Sequence, residues 1–340
     1  MNDQILRRNI LINKISSLQD SISRQEKETL IFELFDYQYD YNTLYKDFCL
    51  RLGKDKPNVH EVPDIPLLPI SSFKHHVIKT GDWIPETVFK SSGTMQKIRS
   101  NHFIRDVNFY HNHSQKLWEN HFGSVDDYCF LALLPGYTDR GESSLVSMIQ
   151  RFISKTERSG SSFVQGKEYV INDIIKANTK KNIKTVLFGV SFALLELLEK
   201  NMVSDKNLIV METGGMKGLR EDMTKEELLK IIKRGFGTEH VFSEFGMTEL
   251  LSQAYTRENT FFTIPDCMEI RIKQLQDPLE EEVAGKQGIL GCIDLANIDT
   301  CGFILTEDAG LVNANNEFQL TGRIDNADIR GCNLLMADLM

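Results

Sequence analysis

The 340-residue chain predicts an α/β fold with a smaller β-rich lobe towards its C-terminal end, on three observations. Residues 1 to about 50 carry apolar side chains at helical spacing among abundant charges. From about residue 128 to 234, short apolar runs alternate with helical patterns, the arrangement of α/β architecture. From about Thr263 the texture turns to short β-rich runs punctuated by glycine.

Taken in order, Ile10, Ile12, Ile15 and Leu18, then Leu30, Ile31, Leu34 and Phe35, read as apolar faces of amphipathic helices, a helical cap over 1–60. Val62-Pro63-Asp64-Ile65-Pro66-Leu67-Leu68-Pro69-Ile70 follows. There each proline restricts its predecessor and blocks a helix, so an extended connection is expected. Tyr128 to Leu134 and Thr185 to Val190 read as strands and Lys225 to Arg234 as a helix, within an α/β core over 61–262. Glu269 to Ile272, Gly288 to Leu295 and Gly302 to Thr306 read as strands of a β-rich lobe over 263–340. Neither a fixed-period repeat nor a low-complexity tract is evident.

Hydrophobic residues at 41% and charged ones at 26%, with 8 prolines, describe a globular chain long enough to bury a large core. The 39 Lys+Arg against 48 Asp+Glu give a net charge of -9 and no basic patch, which argues against nucleic-acid binding. The longest apolar run, Val186 to Leu198, is broken by Gly189, Ser191 and Glu196. It falls short of the roughly 18 to 20 residues of a membrane span. The start lacks the apolar segment of a secretory signal, so a cytoplasmic protein is expected. Cys49, Cys129, Cys267, Cys292, Cys301 and Cys332 include no Cys-x-x-Cys pair, against a zinc ribbon or disulfide framework and in favour of buried thiols. His111, His113 and His121 share a helical pattern with no carboxylate or cysteine to complete a ligand set, so no metal is expected there.

Several segments carry residue types suited to a nucleotide. Phe89-Lys90-Ser91-Ser92-Gly93-Thr94-Met95-Gln96-Lys97 can aim N–H groups and hydroxyls at phosphate oxygens, although the Walker spacing is not met and a polar turn is the commoner reading of the segment alone. Met211-Glu212-Thr213-Gly214-Gly215-Met216-Lys217-Gly218 ends an apolar run with glycines that admit a flat ring, or that serve only a turn. In Phe242-Ser243-Glu244-Phe245-Gly246-Met247-Thr248-Glu249-Leu250 the Glu249 carboxylate can hold Mg²⁺ beside phosphates and the Thr248 hydroxyl can bond one. In Thr306-Glu307-Asp308 and Gly322-Arg323-Ile324-Asp325, an aspartate suits ribose hydroxyls and an arginine suits ribose or phosphate oxygens.

In this order the segments resemble the signature series of the adenylate-forming superfamily, and more closely the acyl-protein synthetase (LuxE) family. The closer likeness rests on the phosphate loop, Glu142-Ser143-Ser144-Leu145-Val146, Thr213-Gly214-Gly215-Met216-Lys217-Gly218, Glu244-Phe245-Gly246-Met247-Thr248-Glu249-Leu250 and Arg330-Gly331-Cys332, and covers the chain from about residue 60. It implies the large N-terminal domain of the adenylate-forming fold without the small mobile domain of full-length members. It also implies activation of a fatty or other carboxylic acid with ATP and Mg²⁺, transfer to a cysteine thiol, and delivery to a partner acyl reductase or carrier protein. By position, Ser91, Ser92, Gly93 and Thr94 would bind the phosphates, and Gly214 with Gly215 the adenine. Thr248 and Glu249 would hold phosphate and Mg²⁺, Asp308 the ribose, Arg323 ribose or phosphate, and Cys332 the acyl group. Arg330 can favour a Cys332 thiolate, while the residue alone also reads as a small buried hydrophobe.

Two features depart from the pattern: Thr94-Met95-Gln96-Lys97 replaces the usual Thr-Thr-Gly, and the sequence ends soon after Gly322-Arg323-Ile324-Asp325. The other functions weighed are an acyl- or aryl-CoA or carrier-protein ligase of the phenylacetate-CoA ligase type, and a catalytically weak regulatory subunit of a reductase complex. Lys74, His75 and His76 are expected on a solvated loop face with Phe73 tucked inward. Tyr137, Arg140 and Ser143 follow the strand ending at Leu134, with Ser143 a weak pocket candidate.

Overall fold

The computed structural model describes residues 3–18, 21–92, 98–135, 142–200, 205, 207–214, 223–257 and 259–324. They form two compact units. The first holds the described residues up to His113, Met247–Ser252 and those from Thr263 onward; the second holds those within Ser114–Gly246 and Gln253–Phe262. The motif Glu244-Phe245-Gly246-Met247-Thr248-Glu249 therefore passes from one unit to the other at Gly246–Met247.

Three helices open the first unit: Asp3–Ser16, Arg24–Tyr41 and Thr43–Arg51. Ser23 and Glu26 close a capping box on the second, and Asn42 caps the third through the Tyr45 N–H. Leu30, Ile31, Leu34 and Phe35 are buried as expected. In the first helix the inward pair is Leu11 and Ile15, while Ile10 is exposed. Ile10, Leu11 and Ile12 are adjacent apolar residues, so spacing alone leaves the inward one undetermined.

The proline-bearing stretch differs from the expected extended connection. Val62–Asp64 is a 3₁₀ turn with proline in its first turn, where a fixed φ suits a helical start. Extended pairing is confined to Leu68–Pro69, parallel to Phe303–Val312. The latter is one of four antiparallel strands, with Met268–Lys273, Gly288–Asp294 and Glu317–Arg323. Thr87–Lys90 and Asn101–Ile104 pair separately. Gln38 and Asn42, both buried, tie the opening helices to the turn after Gly288–Asp294. Gln38 donates to the Asn297 carbonyl at 2.7 Å and accepts the Gly302 N–H at 2.9 Å; Asn42 donates to the Thr300 carbonyl at 3.0 Å.

The second unit is built on parallel strands in the spatial order Ser162–Phe163, Tyr128–Leu133, Lys184–Val190, Leu208–Thr213 and Val241–Phe245. Ala254–Thr256 adds antiparallel to the last. Every residue of Tyr128–Leu133 is buried, as in a parallel sheet covered on both faces. Helices Ser144–Lys155, Ile171–Lys180, Ser191–Leu198 and Lys225–Phe236 supply the connections. Fully buried Trp118 packs edge-on against Tyr128, Phe130 and Tyr255. Among the described residues no helix is long and apolar enough to cross a membrane.

Candidate functional site

In the first unit, Ser91 and Ser92 leave the end of Thr87–Lys90. Ser91 N–H donates to the Ser100 carbonyl at 3.2 Å, and Ser100 N–H donates to Ser91 Oγ at 3.0 Å. Arg99 braces this opening by donating to the carbonyls of Ser91, at 2.5 Å, and Lys90, at 3.2 Å. The Ser100 hydroxyl in turn bonds the Glu249 carboxylate. Burial pushes the Glu249 carboxyl above its usual range; the Ser100 bond and the Lys74 charge oppose this shift, and the Glu307 charge adds to it.

Glu307 lies 3.4 Å from Lys74 Nζ and 3.6 Å from Arg323, and Arg323 Nε lies 3.4 Å from Asp308. Strand register places Asp308 and Arg323 directly opposite each other. Burial raises the Asp308 pKa although Arg323 pulls it down. Ser91, Glu249, Asp308 and Arg323 thus belong to one linked group, with Lys74, Arg99, Ser100 and Glu307 among them. Hydroxyls and N–H groups can take phosphate oxygens, a carboxylate can accept from ribose hydroxyls, and cations can leave carboxylates for phosphate.

Among the described residues no three His, Cys, Asp or Glu side chains converge as a metal cage. A magnesium ion needs none, because one carboxylate and the phosphates of its own nucleotide suffice. Glu249 fits that role: its carboxylate is buried with a neutral hydroxyl as its hydrogen-bond donor.

The peptide carrying Glu249 lies in no helix or strand. Side chains hold it instead. His102 Nδ1 is 2.7 Å from the Thr248 carbonyl, Asn297 Nδ2 donates to the Glu249 carbonyl at 2.8 Å, and Asp294 accepts the N–H groups of Leu251 and Ser252 at 2.8 and 2.9 Å. Burial keeps His102 neutral, with its pKa pushed down to about 4. His113 Nε2 bonds the Ser252 hydroxyl.

In the second unit, two carboxyl groups stand on neighbouring strands at the carboxyl end of the parallel sheet. Register sets Glu212 opposite Ser243 and Thr213 opposite Glu244. Glu212 is wholly buried and accepts from Lys225, the Ser191 hydroxyl and, at 3.0 Å, the Ser243 hydroxyl. Glu244 accepts from the Thr213 hydroxyl. Burial, with the Glu212 charge adding to it, pushes the Glu244 carboxyl up to about 7 from its ordinary 4.5. Gly214, next to Thr213, has φ +76, a left-handed conformation that glycine adopts freely.

A pH dependence follows. Folded Glu244 keeps its proton up to about pH 7, whereas the unfolded chain releases it near 4.5, so its contribution to stability falls as pH rises between them. Glu244→Gln removes the penalty and should gain up to about 3 kcal/mol over the native chain in going from about pH 4 to about pH 8. Urea unfolding at both pH values reads this, and a difference that does not change with pH refutes a buried acid at this position.

The linked group contains Ser91, Glu249, Asp308 and Arg323 of the expected site; Thr248 shares the Glu249 peptide, Ser92 is exposed beside Ser91, and Gly214 belongs to the second unit. Gly93, Thr94, Gly215 and Cys332 lie outside the described residues, as do Tyr137 and Arg140. Ser143 is the N-cap of Ser144–Lys155 and accepts the Val146 N–H at 3.3 Å, so its hydroxyl serves the helix. Phe73 is buried as expected, but Lys74 sits in the short helix Ser72–His75 and faces Glu307 rather than solvent alone. Lys74, Ser100, Glu307, Glu212 and Lys225 were not foreseen. Glu307, beside Asp308, and Glu212, beside Thr213-Gly214, have a signal in their place within the motifs; the others join only through the fold.

No known protein family and no curated protein matches the chain. Solved structures do. A 2-hydroxyisobutyryl-CoA ligase, in an open conformation with 2-HIB-AMP and CoA, matches with a TM-score of 0.65 at 12% identity over 90% of this chain and 72% of that one. ATP-bound MatB from Rhodopseudomonas palustris matches with a TM-score of 0.50 at 15% identity, over 69% of this chain and 47% of that one. O-succinylbenzoate coenzyme A synthetase from Bacillus subtilis, with ATP and magnesium ion, matches with a TM-score of 0.50 at 18% identity, over 72% and 51%. At these identities the likeness is one of fold, and the fold is that of the large N-terminal domain of adenylate-forming enzymes.

Proposed function

We propose that this protein activates a carboxylic acid with Mg²⁺-ATP as an acyl-adenylate. The observation that carries the reading is the linked group of Ser91, Glu249, Asp308 and Arg323 in a fold whose neighbours were solved with 2-HIB-AMP or ATP. A carboxylate oxygen of the acid attacks the α-phosphorus, the α–β P–O bond breaks, and pyrophosphate leaves. Ser91, Ser92, Gly93, Thr94 and Thr248 hold phosphate oxygens, Glu249 holds Mg²⁺, Asp308 the ribose, Arg323 ribose or phosphate, and Gly214 with Gly215 the adenine. Magnesium supplies charge neutralisation on the polyphosphate; the side chains supply position.

The acid is a fatty acid and the acceptor is Cys332: its thiolate attacks the acyl carbonyl, AMP leaves, and the acyl group passes on to an acyl reductase. Support comes from the other five cysteines. All are buried, and burial pushes each thiol up, Cys49 and Cys267 to about 12, which disfavours the nucleophilic thiolate. A second reading, coenzyme A as acceptor, draws on the CoA present in the 2-hydroxyisobutyryl-CoA ligase structure.

Intact mass after incubation with Mg²⁺-ATP and a panel of carboxylic acids separates them. An ATP-dependent gain of one acyl group, lost in Cys332→Ser, is the expected result. AMP and pyrophosphate without an adduct would move the acceptor to coenzyme A or another thiol. Neither product with any acid would overturn the activation reading and favour a regulatory subunit.

A further inference from the structure

We propose that His102 is a positioning residue that fixes the Thr248–Glu249 peptide through Nδ1, and so sets the carboxylate that holds magnesium; this rests on the adenylate-forming reading. His102 lies on Asn101–Ile104, is 1% exposed and touches no open surface. Its partners assign its proton. The Thr248 carbonyl at 2.7 Å can only accept, so Nδ1 carries the hydrogen. Asn297 spends both amide hydrogens on the carbonyls of Glu249 and Cys301, each at 2.8 Å, so its Oδ1 is what faces the ring. The Thr300 hydroxyl lies 2.9 Å from Nε2 and gives its single hydrogen to Asn297 Oδ1, so Thr300 and Asn297 together close in the Nε2 edge of the ring.

The ring is therefore held on one side by a turn and reaches across to a peptide with no ladder of its own. That turn is itself pinned by Gln38 and Asn42 from the opening helices, and Asp294, the last residue of the strand before it, takes the Leu251 and Ser252 N–H groups. Backbone groups of Thr248, Glu249, Leu251 and Ser252 are thus all bonded by side chains of two strands and one turn. The Glu249 peptide needs this because a buried carboxylate must meet a metal in a set direction, and outer partners supply that direction. His102 acts through Glu249 and is not a catalytic residue.

Two variants that delete the same ring separate positioning from packing. Asparagine places an amide N–H near the position of Nδ1, whereas glutamine reaches towards that of Nε2. ATP–pyrophosphate exchange is measured on the full chain against Mg²⁺ concentration, with thermal unfolding alongside. His102→Gln should lower exchange and raise the Mg²⁺ requirement by about 10- to 100-fold, while His102→Asn recovers to within about threefold of the native chain at a similar loss of stability. Should His102→Gln not fold, Thr300→Val removes the hydroxyl that lies against Nε2 and bonds Asn297 Oδ1, and should raise the Mg²⁺ requirement by about 10-fold. Equal exchange and equal Mg²⁺ dependence in the Asn and Gln variants of an active enzyme would overturn the role of His102 alone. Absence of exchange in the native chain would overturn the adenylate reading and the proposal with it.

Discussion

Glu249→Gln should lower ATP–pyrophosphate exchange by about 10²- to 10³-fold while leaving the protein at least as stable as the native chain. The amide keeps the shape and can still meet the Ser100 hydroxyl, but it carries no charge for magnesium. Burial raises the Glu249 pKa, so the folded state holds its proton to higher pH than the unfolded chain does. The sign is fixed: the Glu249 contribution to stability falls as pH rises through and above the ordinary carboxylate range. At pH 8 the variant should therefore unfold at equal or higher urea concentration. Parallel losses of exchange and stability would make Glu249 a structural residue, and unchanged exchange would remove it from the site. Asp308, also raised by burial, has the same character. Carboxyl groups kept ionised against their own burial are a cost that a bound cation or nucleotide can offset.

The sequence was informative where chemistry is local. Alternation and apolar runs located Tyr128–Leu133, Lys184–Val190 and Lys225–Phe236 to within a few residues, because each is a single buried strand or a well-capped helix. Short motifs marked Glu249, Asp308 and Arg323. What stayed hidden depends on which segments meet. Nothing around Gly246–Met247 announces a passage between units, since the residues on either side read as one motif. His102 and Asn297 look like ordinary strand and turn residues until the turn folds under Thr248. Lys74 read as a loop cation because its partner Glu307 is distant in sequence. Pro63 blocks a continuing α-helix, but the same fixed φ starts a 3₁₀ turn, which the pattern of prolines alone does not reveal.

Lys225→Met should destabilise the second unit by about 3 to 5 kcal/mol, the cost of leaving a buried carboxylate without its cation. Lys225 begins the helix Lys225–Phe236, where the helix dipole disfavours positive charge and where Glu226 and Glu227 follow as expected. Its place there is explained by Glu212, which it pairs with across the end of the Leu208–Thr213 strand. The hydroxyls of Ser191 and Ser243 remain as donors in the variant, but neutral donors do not replace a charge. The side chain of Lys225 is 30% exposed, so the value should fall at the low end of that range. Removing both charges, as Glu212→Gln with Lys225→Met, should recover at least half of the loss, because the uncompensated carboxylate is then gone. Urea midpoints of the native chain, both single variants and the double variant give the coupling directly. A double variant no more stable than Lys225→Met would show that the lysine acts by packing over the strand ends rather than by neutralising Glu212. Removing Lys225 also takes away a charge that pulls the Glu244 carboxyl down. Glu244 should then keep its proton to still higher pH, and the fall in stability between about pH 4.5 and 7 should extend upward in the variant.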